Sequence, residues 1–115
     1  MAQDTSITIF RGDSENIVTT VKDSDGTGID ITGFTFWLTI KTLESDTDAV
    51  AVIQKEVTTH TTPASGITTF VLSNTDTNIE ATDYQYDIQM KNTTGEITTL
   101  VRGTFVVKQD ITLAT

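Results

Sequence analysis

Few side chains in this sequence are of a kind that does chemistry, and their spacing limits what they can do. Asp23, Asp25 and Asp30 crowd around Gly26, a fragment of the oxygen-rich spacing that holds calcium. An EF-hand needs further ligands in register, a Glu at the loop end and helices on both sides. Those parts are missing, so a solvated turn is the simpler expectation beside weak calcium binding. His60 is the single histidine of a chain without cysteine, which removes any transition-metal site of usual composition. Ser65 and several aspartates complete the inventory of a Ser-His-Asp arrangement. Nothing in the spacing places them together, and no nucleophile-elbow glycine pattern is present. The expectation is no enzyme, no cofactor, no resident metal and no small-molecule substrate.

Residues that recognise rather than react are a little more informative. Arg11-Gly12-Asp13-Ser14 is the tetrapeptide that integrins read, but the same residues make a tight turn, with Gly12 taking the unusual φ. Asn92-Thr93-Thr94 satisfies the N-glycosylation pattern. The opening Met1-Ala-Gln-Asp-Thr5 has neither a basic segment nor an apolar run, so no signal peptide is expected and the asparagine is a plain turn former. Trp37 sits between Thr35 and Lys41 on alternate positions of one stretch. Facing outward it would be a sugar-stacking platform; in immunoglobulin-like folds a Trp on the corresponding strand belongs to the core.

These residues must be held by strands. Phe34-Thr-Phe-Trp-Leu-Thr-Ile-Lys41 places Phe34, Phe36, Leu38 and Ile40 on one face and Thr35, Trp37, Thr39 and Lys41 on the other. That period of two predicts a central strand, entered through a bend at Gly33. Asp83 to Met90 alternates as cleanly, with Tyr84, Tyr86, Ile88 and Met90 inward, and Tyr84 is positioned to make a tyrosine corner. Further strands are expected at Ile7–Phe10, at Ile17–Lys22 with Ile17, Thr19 and Val21 on one face, at Ala49–Val57 on an edge, at Ile67–Leu72 and at Ile97–Val107. Ile29–Thr32 reads as a brief edge segment, and Ser73–Thr82 as a polar connection with room for one helical turn capped by Ser73 or Asn74. In Ile97–Val107 the residues Val101, Gly103, Phe105 and Val107 share a face. Gln109–Thr115 forms a tail in which Ile111 and Leu113 are spaced to add an edge strand at an interface.

The bulk numbers agree. The 115 residues make one domain, with 37% hydrophobic and 20% charged residues; a core is affordable but lean. Abundant Thr favours strand surfaces over helices. The net charge of −9 makes nucleic acid and anionic membranes poor partners. No apolar run approaches a membrane span. The expected fold class is all-β: an immunoglobulin-like antiparallel β-sandwich of about seven to eight strands over residues 1–108, followed by the tail 109–115. A small barrel is the alternative.

Three stretches together resemble a known family. They are Ile7-Thr-Ile-Phe-Arg-Gly-Asp-Ser14, then Asp25-Gly-Thr-Gly-Ile-Asp-Ile-Thr-Gly-Phe-Thr-Phe-Trp-Leu-Thr-Ile-Lys41, and Tyr84-Gln-Tyr-Asp-Ile-Gln-Met90 with Thr98-Thr-Leu-Val-Arg-Gly-Thr-Phe105. The middle one is similar to a D-G-x-x-I-D-L-T-G-A turn and the strand after it. The family is the immunoglobulin-like domain at the N-terminus of tailed-phage baseplate upper proteins, and of related small phage and prophage proteins. Gly28 stands where that family often has Pro. The resemblance implies a non-enzymatic virion protein made in a host cytoplasm: a tail, baseplate or fibre-associated adaptor. Its partners would be other virion proteins and further copies of itself, not nucleic acid or membrane. Baseplate upper proteins continue into helical, receptor-binding-protein-anchoring regions, whereas this chain stops soon after the sandwich; a free-standing protein is therefore expected. Capsid decoration and a carbohydrate-binding or adhesion module using Trp37 are the alternatives.

Overall fold

A computed structural model of the chain describes residues 3–42 and 51–109. Among the described residues the strands are β1 (Gln3–Asp4), β2 (Ile7–Phe10), β3 (Glu15–Thr20), β4 (Thr35–Lys41), β5 (Ile53–Val57), β6 (Ile67–Leu72), β7 (Asp83–Lys91) and β8 (Ile97–Lys108). The only helical element described is a 3-10 turn at Pro63–Ser65, and no described helix is long and apolar enough to cross a membrane. One sheet runs β1-β8-β7-β4-β5 with β2 also on β8, and the second is the antiparallel pair β3–β6. This is an all-β fold of the β-sandwich kind. The expected tail residues Ile111 and Leu113, the acidic loop Glu44–Asp48 and the start of the Ala49–Val57 strand lie outside the described residues.

The core follows from the alternation. Phe36, Leu38 and Ile40 of β4, Tyr84, Tyr86 and Ile88 of β7, and Phe105 and Val107 of β8 meet Phe70 and Leu72 of β6 between the sheets. The Tyr86 and Phe105 rings pack edge to face with centroids 6.1 Å apart, the favoured aromatic geometry. Tyr84 makes the corner its position predicts: its hydroxyl donates to the Glu80 carbonyl at 2.7 Å. Among the described residues strand β5 is an edge, and its Lys55 turns inward to meet Asp76 at 2.8 Å. An inward charge on an edge strand discourages pairing with another chain.

Three features depart from the expected plan. First, the large sheet is mixed, because β1 and β2 run parallel to β8 in one continuous register, Gln3 opposite Val101 and Ile7 opposite Phe105. The break between them at Thr5–Ser6 turns the Thr5 carbonyl inward, where the Tyr86 hydroxyl donates to it at 2.7 Å. Gly103 makes this approach feasible, since a Cβ there would lie 2.2 Å from the Thr5 oxygen. Second, Ile29–Thr32 is no strand; it bonds through Ile29 N–H to the Val21 carbonyl and Ile31 N–H to the Pro63 carbonyl, and buries Ile31 completely. Gly28 packs on this crossing so closely that a Cβ would come within 2.1 Å of the Ser65 carbonyl oxygen. The Ser73–Thr82 connection holds the single helical turn expected of it, Thr77 N–H to the Ser73 carbonyl. Ser73 Oγ accepts from Asp76 N–H while Asp76 Oδ2 accepts from Ser73 N–H, the reciprocal bonds of a capping box.

Third, β8 is bulged. Ile88 pairs with Val101 but Gln89 pairs with Thr99, so Leu100 is the extra residue and the alternation restarts there. The bulge keeps Val101, Gly103, Phe105 and Val107 inward as expected. It also turns Ile97 and Thr99 to the outside, opposite the phase that unbroken alternation would give them.

Candidate functional site

The outward residues of the large sheet fall into cross-strand rows. Pairing of β4 with β5 and β7, and of β7 with β8, sets Glu56, Trp37, Gln89 and Thr99 in one row and Gln54, Thr39, Asp87 and Arg102 in the next. Lys41, Gln85 and Thr104 make a third. Strand geometry spaces such rows by about 6.8 Å. The rows floor two joined depressions. One, of 420 Å³, is lined by Trp37, Thr39, Gln54, Glu56, Gln89 and Ile97. The other, of 520 Å³, spreads from Thr39 and Lys41 across Gln85 and Asp87 to Arg102 and Thr104, with Thr5 and Ser6 at its rim. Thr39 lines both.

Trp37 is thus on the outer face, half-buried, and not in the core where immunoglobulin-like strands usually hold a Trp; Phe36 and Leu38 on either side of it take the core positions. Around it the polar groups are fixed. Gln54 Nε2 donates to Thr39 Oγ1 at 3.2 Å and Gln89 Nε2 donates to Thr99 Oγ1 at 3.3 Å. Ile97, 59% exposed, stands beside the indole as a second apolar surface.

The other candidate residues are occupied by structure. Both ring nitrogens of His60 are engaged, Nδ1 with Thr68 Oγ1 and Nε2 with the Phe34 carbonyl, each at 2.8 Å. The carbonyl can only accept, so Nε2 carries the proton and Nδ1 accepts from the threonine. The ring also meets Phe36 edge-on at 5.2 Å. His60 is a strut between the sheets, and Ser65 lies in the 3-10 turn with no bond to it. Asp23 Oδ1 accepts from the N–H groups of Asp25 and Thr27. Asp30 Oδ1 accepts from the N–H and hydroxyl of Thr32, and the hydroxyl bond first, then the N–H bond, holds its carboxyl below the usual range. Among the described residues no group of three acidic, His or Cys side chains is arranged for a metal.

The Arg11–Ser14 turn is bolted down. Gly12 has φ of 82°, its N–H donates to the Thr77 carbonyl, and the buried Thr77 hydroxyl donates to the Asp13 carbonyl at 2.7 Å. Arg11 is half-buried with its Nε inaccessible, unlike an arginine held out for a receptor. Asn92 closes the β7–β8 hairpin, its Oδ1 accepting from Thr94 and Glu96 N–H.

A second surface, which the sequence pattern does not single out, lies on the opposite side of the sandwich. The outward residues of β3 and β6 pair as Asn16 with Val71, Val18 with Thr69, and Thr20 with Ile67. None is charged, in a chain of net charge −9. Val18 is 61% and Val71 63% exposed. The β3 pattern does show Val18 outward once Ile17 and Thr19 are set inward, but the diagonal valine neighbour depends on the β3–β6 register. Comparison of the chain with protein-family models and with curated proteins finds no match.

Proposed function

We propose that this protein is a non-enzymatic structural component of a tailed-phage particle, an adaptor held at the tail, baseplate or fibre base by protein–protein contacts. The placement in a particle follows from the resemblance of the Ile7–Ser14, Asp25–Lys41 and Tyr84–Phe105 stretches to the phage immunoglobulin-like domain. The mode of action rests on one observation: the β3–β6 face is free of charge and carries two exposed valines, in a chain of net charge −9. Depletion of charge with retained apolar area is what the centre of a protein interface requires. Neighbouring subunits, further copies of this chain among them, seat on that face, and each contact adds stability to a thin core by mass action.

The test is mass spectrometry of gradient-purified particles, with heads and tails separated. The protein is expected in the tail fraction at a fixed ratio to the tail subunits. Abundance in infected cells with absence from purified particles would end the reading. A carbohydrate-binding role is the second reading, favoured by the outward Trp37 between two amides that hydrogen bonds hold in place.

A further inference from the structure

We propose that the trough on the outer face of the large sheet is a binding site for a linear, neutral oligosaccharide. Its lining suits that chemistry group by group. The π face of Trp37 is electron-rich and attracts the weakly positive C–H groups on one side of a pyranose ring; Ile97 beside it excludes water from the stacked ring. Each fixed amide, Gln54 and Gln89, has spent one N–H on a threonine hydroxyl and keeps a second N–H and a carbonyl oxygen. Sugar hydroxyls donate and accept at once, so a donor–acceptor pair held in place is their natural partner. Glu56, opposite Trp37 in the same row, adds a charged acceptor.

Shape and charge narrow the ligand further. From the Trp37 row to the Lys41 row the trough runs roughly 13 Å along β4, long enough for a short chain of rings and too open to enclose a single one. Two acidic side chains, Glu56 and Asp87, and two basic ones, Lys41 and Arg102, line it. The lining is therefore balanced although the chain carries −9. A polyanion is repelled by the body, and a neutral polymer is not. The proposal is independent of the particle reading, because it concerns the isolated protein.

Trp37 is the single tryptophan, so its emission reports on this trough alone. Purified full-length protein is titrated with maltohexaose, cellohexaose and chitohexaose, and with polygalacturonate as the anionic comparison. The expected result is a saturable change in emission with at least one neutral hexasaccharide and none with polygalacturonate. Isothermal titration of Trp37→Ala then shows affinity weakened by about tenfold or more, the size expected when an aromatic anchor is lost. Gln89→Leu shows a smaller loss, and Asp25→Ala, in the distant 23–28 turn, shows none. Trp37 lies outside the core, so its variant keeps the wild-type circular dichroism spectrum; should it not, Gln89→Leu and Glu56→Gln carry the test. Absence of saturable binding to all three neutral sugars overturns the proposal. So does binding that Trp37→Ala and Gln89→Leu leave unchanged, or a preference for the polyanion.

Discussion

Replacing Gly103 with Ala tests the packing of the N-terminal strand with opposite signs for two effects. A glycine within a strand is intrinsically worse than alanine by about 0.5–1 kcal/mol, so Gly103→Ala would stabilise the protein if nothing lay over that position. In the structure the added Cβ would sit 2.2 Å from the Thr5 oxygen and 2.9 Å from its carbonyl carbon. Both are main-chain atoms, so the strand itself must retreat by about 1 Å. That retreat breaks the Tyr86–Thr5 hydrogen bond and loosens Thr5 N–H from the Arg102 carbonyl. A buried hydroxyl left without a partner costs about 1–3 kcal/mol and a lost main-chain bond about 0.5–1.5 kcal/mol. After the propensity gain, the net loss is about 1–3 kcal/mol, out of a total of about 5–15 kcal/mol for a domain of this kind. Urea titration followed by Trp37 emission and by circular dichroism should show the midpoint lowered by about 0.5–1.5 M. Tyr86→Phe removes the hydroxyl that would be orphaned, so in that background Gly103→Ala should cost less, with coupling of about 1 kcal/mol. A Gly103→Ala protein as stable as the parent, or strict additivity with Tyr86→Phe, would refute the packing of Thr5 over Gly103.

Three further outcomes follow from the contacts. Burial pushes the Tyr86 phenol up, and burial followed by the Glu80 charge pushes Tyr84 up; acids with raised folded values contribute stability that is whole below the unfolded value near 10. Stability should therefore fall as pH rises above about 10, and replacing both residues with Phe should flatten the fall, read by thermal melts across that range. Asp76 has its carboxyl held low by the Lys55 hydrogen bond first and the Ser73 N–H second, so its contribution is present above about pH 4 and lost on acidification below it. Lys55→Met should weaken that acid-side dependence at a cost of about 0.2–1 kcal/mol at neutral pH, and should raise aggregation through the β5 edge in light scattering. His60→Ala should cost about 2–4 kcal/mol by chemical denaturation, because it leaves the fully buried Thr68 hydroxyl and the Phe34 carbonyl without partners.

Much of this architecture is legible in residue order, and the parts that are not have physical reasons. The runs Phe34–Lys41 and Asp83–Met90 alternate without interruption, which is why their buried faces and the Tyr84 corner can be read directly; their adjacency in the large sheet comes only from the pairing of β4 with β7. The Leu100 bulge cannot: Leu100 and Val101 are both apolar, so the pattern from Ile97 to Val107 hides the change of phase that turns Thr99 toward Gln89. The same is true of the β1–β2 strand beside β8, since a parallel pairing across most of the chain leaves no local mark except a glycine at 103. His60 looks like a stray polar residue in a threonine-rich loop, because its partners come from far-apart segments, Phe34 just before β4 and Thr68 in β6. For the trough, Trp37 and Gln89 are visible as outward positions of two strands, whereas Gln54 is placed by the β4–β5 register. Their assembly into rows depends on register, and register is a property of the fold.

The division between the two outer faces is best tested inside assembled particles. A photo-crosslinking amino acid is placed at position 18, on the charge-free β3–β6 face, or at position 37, in the trough, and particles are irradiated after purification. A covalent adduct to another structural subunit is expected from position 18 and none from position 37. Adducts from position 37 alone, or from neither, would contradict that division.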